Sequence, residues 1–291
     1  EAALAFTLDF TDASGIAGTQ VTTVTDASSV TFDESVPTAT PVSIFSDNAL
    51  TNFAIVGDDV TISFTVNEPL LGNPTVTIDG NAATIGGSYP SYTASYTMQA
   101  GDTEAALAFT LDFTDASGNP GVQVTTVTDA SSVTFDETLP TSPARSILSN
   151  NADTTLAKVG DDVTLSFTVD EPLLGNPTVT IDGNPTTLGG AYPSYTATYT
   201  MSASDTEGVL AFTLDFTDAV GNTATQVTAV SDASSVTFDE TRPTASPVII
   251  SSNNANTVRA KVGDDVILSF TVDEPLLGSP TVTIDGNAAT I

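Results

Sequence analysis

The pentapeptide Val56-Gly57-Asp58-Asp59-Val60 returns at Val159 to Val163 and again at Val262 to Val266, each time 103 residues on. A constant period along a whole chain marks a tandem array, in which each period is one structural unit stacked on the next. The same spacing places Glu1, Glu104 and Glu207 ahead of the run LAFTLDFTDA, and Pro37, Pro140 and Pro243 after TFDE. Counted from those prolines, the chain holds the C-terminal part of one repeat (1–37), two complete repeats (38–140 and 141–243) and the N-terminal part of another (244–291). The 18 residues that three full periods lack correspond to 86–103, so both ends read as cuts inside a longer array.

Within a repeat, apolar and β-branched residues alternate with polar ones at period two, and turn formers separate the runs. In 141–243 this predicts strands at 144–149, 162–169, 178–181, 186–188, 195–201 and 209–217, then a long last strand 226–238 with a bulge near 231–234. Asp182-Gly183 is a hairpin turn, because Gly accepts the positive φ that a two-residue connection demands. Seven short strands in a period of 103 residues predict an all-β chain of immunoglobulin-like β-sandwiches arranged end to end. The alternation assigns the core to Val163, Leu165, Phe167 and Val169, to Val179 and Ile181, to the even positions from Leu210 to Phe216, and to Val236 and Phe238. Tyr195 and Tyr199 are expected at its ends.

Asp and Glu number 36 against 5 Lys and Arg, a formal charge of −31, yet 40% of residues are apolar, enough to bury cores. Such a field repels nucleic acid and anionic membranes and favours cations and basic proteins as partners. Cys, His and Trp are all absent, so packing, hydrogen bonds and metal must do what disulfides do elsewhere. No signal peptide and no apolar run of about 18 residues is found, so no membrane insertion is expected in this segment. Without His or Cys the usual nucleophile and base pairs cannot be assembled. Carboxylates alone could hydrolyse glycosides, but that needs a cleft and aromatic sugar platforms, so enzymatic activity is not expected.

Sandwich topology sorts the acids by pole. At the far pole lie Asp58 and Asp59, Asp102 with Glu104, and the exit segment Asp136-Glu137; at the near pole of the next repeat lie Asp170 and Glu171, and Asp215 with Asp218. The period copies these positions to Asp161, Asp205 and Glu207. End-to-end stacking gathers the two sets across the linker, where two carboxylates about 5 Å apart repel by roughly 3 kcal/mol at an effective dielectric near 20. A cation is required, and oxygen-only ligands select Ca²⁺ over zinc or copper. Acids also simply solubilise surfaces, but the first full repeat carries 12 of them and no Lys or Arg, leaving it no internal countercharge. The stretch Asp115 to Asn119 lacks the ligand spacing of a calcium loop and reads as a β-turn.

The ending SSVTFDExxPT and the run LAKVGDDVTLSFTVDEPLLGNPTVTIDGN resemble the bacterial Ig-like tandem repeats in the extender regions of giant secreted RTX-type adhesins. The resemblance implies an extracellular stalk at a bacterial cell surface, with Ca²⁺ at the joints between domains. It implies linker ligands at Asp33 with Glu34, Asp136 with Glu137, and Asp239 with Glu240. Their partners in the following repeat are Glu68, then Asp170 with Glu171, then Asp273 with Glu274. Asn67 replaces the Asp at 170 and 273, which suggests a weaker first joint. The glycine-rich nonapeptides of the RTX end are not in this sequence. The expected partners are neighbouring repeats of the same chain. The competing expectations are lateral self-association into a filament or sheath through exposed strand edges, and glycan binding near Tyr89, Tyr92, Tyr192 and Tyr195.

Overall fold

In the computed structural model residues 2–291 are described, Glu1 lying outside them, and every regular element is a β-strand. The second full repeat shows how the alternating pattern becomes a sandwich. One sheet orders Arg145–Ser149, Asp162–Thr168, Ser194–Thr200 and Thr187–Ala191 as hydrogen-bonded neighbours, all antiparallel. The facing sheet pairs Thr178–Ile181 with Asn184–Pro185 on one side and Phe212–Asp215 on the other. A third, small sheet sets Thr237–Phe238 between Leu156–Ala157, which runs parallel to it, and Gly208–Val209. The first full repeat copies this plan, with Ala39–Ser46, Asp59–Val66, Ser91–Thr97 and Thr84–Ser88 in the four-stranded sheet.

Period two puts alternate side chains on one face. Along Asp162–Thr168, Val163, Leu165 and Phe167 turn inward while Thr164 and Ser166 face out. They meet Val179, Ile181, Phe212 and Leu214 from the facing sheet to form a closed apolar core, and Ile62, Phe64, Val76, Ile78 and Leu111 form its counterpart in the first full repeat. Each such side chain contributes about 1.5–3 kcal/mol on burial. Tyr195 stacks on Phe167 with ring centroids 5.6 Å apart. The Tyr199 hydroxyl reaches Asp205 Oδ1 at 3.0 Å, so this ring caps the core from its wet end. The hairpin turn takes positive φ at both Asp182 (50°) and Gly183 (75°).

The last strand departs from the expectation. Between Val227, which bridges Leu214, and Thr237 the chain is irregular, and Ala233 adopts φ 61°. Side chains replace the missing ladder: Arg145 N donates to Ser231 Oγ at 2.8 Å and Ile147 N to Ser234 Oγ at 2.9 Å. The stretch Ser231 to Ser234 therefore loops out of the ladder, and its hydroxyls satisfy the edge of the four-stranded sheet. Within the segment 209–217, regular strand pairing is kept at Val209, opposite Thr237, and at Phe212–Asp215.

The partial repeats at either end keep the local pairings of the full ones, including Ala245–Ser252 with Val266–Val272. Their inward positions, such as Ile250 and Val266, are exposed, because no described residue supplies the strands that cover the equivalent positions in the full repeats.

Candidate metal centre at the joints between repeats

At the second joint the exit segment of the first full repeat is fixed before it reaches its neighbour. Asp136 N donates to Ala54 O at 2.9 Å, and Glu104 Oε1 accepts from Glu137 N, Thr138 N and Thr138 Oγ1 at 2.7–2.8 Å. Glu104 thereby clamps the linker against its own domain. Across the joint, the turn 218–222 folds around Asp218, whose Oδ1 accepts from Val220 N, Gly221 N and Asn222 N at 2.7–2.9 Å. An Asp that binds its own following amides pre-forms such a turn.

These two fixed pieces bring one carboxylate oxygen each from Asp136, Glu171 and Asp218 within 4.8 Å of one another, and the same holds for Asp33, Glu68 and Asp115 at the first joint. Backbone contacts tie the clusters together: Asn222 Nδ2 donates to Asp136 O at 3.2 Å, and Asn119 Nδ2 to Asp33 O at 3.3 Å. A second contact crosses the joint beside the cluster, where Asn48 Nδ2 donates to Val220 O at 3.1 Å.

The electrostatics of the second cluster are unfavourable as they stand. Burial pushes the Glu171 carboxyl above its usual range, and the negative charges of Asp136, Asp218, Asp170 and Glu104 push it further. Burial also raises Asp136, helped by its hydrogen bond with Glu104. Asp218 is 1% exposed, and its Oδ2 is buried with no hydrogen-bond donor. Leaving a buried carboxylate oxygen unmatched costs on the order of 1–3 kcal/mol or more. A divalent cation bound among them would relieve all three penalties at once. With carboxylates as the donors and no His or Cys in the chain, the set is compatible with a hard ion that tolerates loose oxygen coordination, such as Ca²⁺. Glu104, Phe135, Asp136, Thr138 and Glu171 line a shallow hollow beside the cluster.

The other acids singled out by sequence sit as follows. Asp58 Oδ2 accepts from Asn48 Nδ2 and Ile55 N, and Asp161 accepts from Asn151, Lys158 N and the Lys158 ammonium at 2.8 Å, which holds its carboxyl down to about 2. Asp102 and Asp205 close the loop before Phe109 and Phe212, accepting from Gln99 N and Ser202 N and from the Tyr96 and Tyr199 hydroxyls. Asp170 and Asp273 accept from the backbone and hydroxyl of Thr141 and Thr244, so they brace the linker, while Glu171 reaches the cluster. Asn67 Oδ1 accepts from Thr38 N in the same way, so this substitution acts on the linker brace and leaves the three clustered carboxylates in place. Glu137 Oε2 accepts from Gly101 N, Glu207 Oε1 from Glu240 N and Thr241, and Glu34 is exposed. At the third joint, loss of water and the neighbouring charge of Asp239 raise the Glu274 carboxyl.

Two participants were not assigned from sequence. Asp115 was read as a plain turn residue, although it lies one period before Asp218 and completes the first cluster. Asn48 gave no signal, being one polar residue among many in a surface loop.

No protein-family profile matches the sequence, and a search of curated proteins finds no significant relative. Solved structures with similar geometry include an I-band fragment of titin, at 11% identity and TM-score 0.38 over 85% of this chain and 81% of that one. A gamma-CGTase from alkalophilic Bacillus clarkii aligns at 14% identity and TM-score 0.21, over 71% of this chain and 27% of that one. The SGBP-B protein of the Bacteroides ovatus mixed-linkage glucan utilization locus, solved with a heptasaccharide, aligns at 16% and TM-score 0.19, over 71% of this chain and 48% of that one. The chain thus spans less than half the length of these last two. By its own strand pairing and its two facing-sheet cores, the chain is a tandem of immunoglobulin-like β-sandwiches.

Proposed function

We propose that this chain is an extender segment of a large bacterial cell-surface adhesin, with its joints stiffened by Ca²⁺. The observation that carries the reading is the meeting of Asp136, Glu171 and Asp218 from two different repeats, with a buried Asp218 oxygen that no donor reaches. Repeating sandwiches give reach, and a cation that bridges two repeats turns a flexible linker into a fixed angle. The sequence resemblance to adhesin extender repeats supports the extracellular setting and the division into repeats at 37, 140 and 243. The fold suggests a structural rather than an enzymatic role.

Small-angle scattering of the chain in Ca²⁺ and in chelator tests this. The expected result is a longer, narrower distance distribution in Ca²⁺, with the β spectrum unchanged in chelator. Identical distributions would count against the reading.

Lateral assembly is the competing reading. Thr187–Ala191 is an edge strand, paired on one side only, as is Thr84–Ser88. Glycines at 86, 87, 189 and 190 and the overall charge of −31 both weaken such an edge as a template, which favours the stalk. Growth in apparent mass with protein concentration would favour the sheath instead.

A further inference from the structure

We infer that the residue at the third position of the turn after each buried aspartate, Ser117 at the first joint and Val220 at the second, sets how strongly that joint depends on its cation. The inference rests on the cation reading above and deepens it.

The two turns, Asp115-Ala116-Ser117-Gly118-Asn119 and Asp218-Ala219-Val220-Gly221-Asn222, differ at one position. At the first joint the Ser117 hydroxyl crosses to the preceding repeat and donates to Asp33 Oδ2 at 2.8 Å. Asn119 Nδ2 donates both to Asp115 Oδ2 at 2.9 Å and to Asp33 O at 3.3 Å. Two neutral side-chain donors therefore already serve the acids there. At the second joint Val220 has no hydroxyl to give, Asn222 Nδ2 reaches Asp136 O, and Asp218 Oδ2 is left buried without a donor.

A site's affinity for a cation is the difference between its metal-free and loaded states. A donor that satisfies carboxylate oxygen in the metal-free joint lowers that state and must be given up or shared when the ion binds, so it weakens binding. The first joint meets part of its carboxylate demand with Ser117 and Asn119 in place of an ion, whereas at the second the buried Asp218 oxygen is left for the cation. A tandem with both turn types has joints of graded dependence on Ca²⁺.

Titration of the 291-residue chain with Ca²⁺ in a calorimeter tests this, using V220S and S117V beside the parent. Val220 meets Asn48 through its backbone carbonyl, which serine retains. We expect V220S to weaken the tighter class of site by about tenfold or more, the scale of one hydrogen bond to a charged group, and S117V to tighten the weaker class by a similar factor. Equal affinities in parent and both variants overturn the inference while leaving the cation reading intact. The opposite signs overturn it as well, since they make the serine hydroxyl a ligand. No Ca²⁺ heat in the parent chain removes both. A circular dichroism melt of each variant verifies that both sandwiches remain folded.

Discussion

Asn48 and Val220 lie in different repeats, yet the Asn48 amide donates to the Val220 carbonyl at 3.1 Å while also donating to Asp58 Oδ2 at 2.7 Å. Asp58 Oδ2 in turn accepts from Ile55 N, and the Ile55 side chain lies against Gly221. A carboxylate inside one domain thus aims an amide at the next, without any metal. The joint consequently has two supports, a cluster of acids that needs a cation and a neutral contact that does not.

Asn48→Ala should loosen the second joint in both Ca²⁺ and chelator. Its counterpart Asn151 makes the same bond to Asp161 at 2.7 Å but meets no following turn among the described residues. Subtracting the effect of Asn151→Ala from that of Asn48→Ala isolates the contact across the joint. We expect an excess of about 0.5–1.5 kcal/mol, the usual net value of one hydrogen bond, read from urea unfolding of the full chain. Equal losses in the two variants would show that the inter-repeat bond contributes nothing.

Asp218→Asn removes the charge but keeps an acceptor for Val220, Gly221 and Asn222, so the turn should survive. Calcium affinity of the second joint should fall by at least about tenfold, about 1.4 kcal/mol. Equilibrium dialysis against Ca²⁺ measures this, and unchanged binding would exclude Asp218 as a ligand.

The docked, metal-free joint should tighten as pH falls. Glu171 and Asp136 have raised pKa values in the docked state, so docking takes up protons and becomes more favourable between neutral pH and the ordinary carboxylate range. The fold is safe across that window, since a lowered group such as Asp161, held at about 2 by Lys158, gives up its stabilisation only below its ordinary value of 3.8. Fluorescence anisotropy of a chain labelled at one repeat, followed in chelator from pH 7.5 to 5, should rise. A fall would contradict the like-charge account of the joint.

Leu214→Ala tests the independence of the two cores. Leu214 is fully buried in the second repeat alone, so the change should cost about 2–5 kcal/mol there and leave the first repeat's transition in place. Differential scanning calorimetry resolving one shifted and one unshifted transition is the expected outcome, and a joint shift of both would indicate strong coupling through the linker.

Much of this architecture is legible in the sequence because it repeats. The 103-residue period fixes which residues share a role, and period-two alternation at Val163, Leu165 and Phe167 fixes which face inward. The last strand was harder: its composition marks a bulge near 231–234, but not that the chain leaves the ladder between Val227 and Thr237 and lets the Ser231 and Ser234 hydroxyls substitute for backbone acceptors. In the site, the pole argument brought Asp136, Glu171 and Asp218 to one place from topology alone. It could not separate them from Asp58, Asp102 or Asp170, because an Asp that caps a turn and an Asp that faces a joint have the same side chain. What distinguishes them is which amides lie within reach, a property of the folded backbone.

The most direct test uses the absence of native cysteine. Spin labels placed on exposed Thr84→Cys and Thr187→Cys, one in each full repeat, report the distance across the second joint by pulsed electron resonance. The account predicts one narrow distance distribution in Ca²⁺ that broadens in chelator and is broad in both conditions once Glu171→Gln is added. A distribution equally narrow, or equally broad, with and without Ca²⁺ in the parent sequence would contradict it.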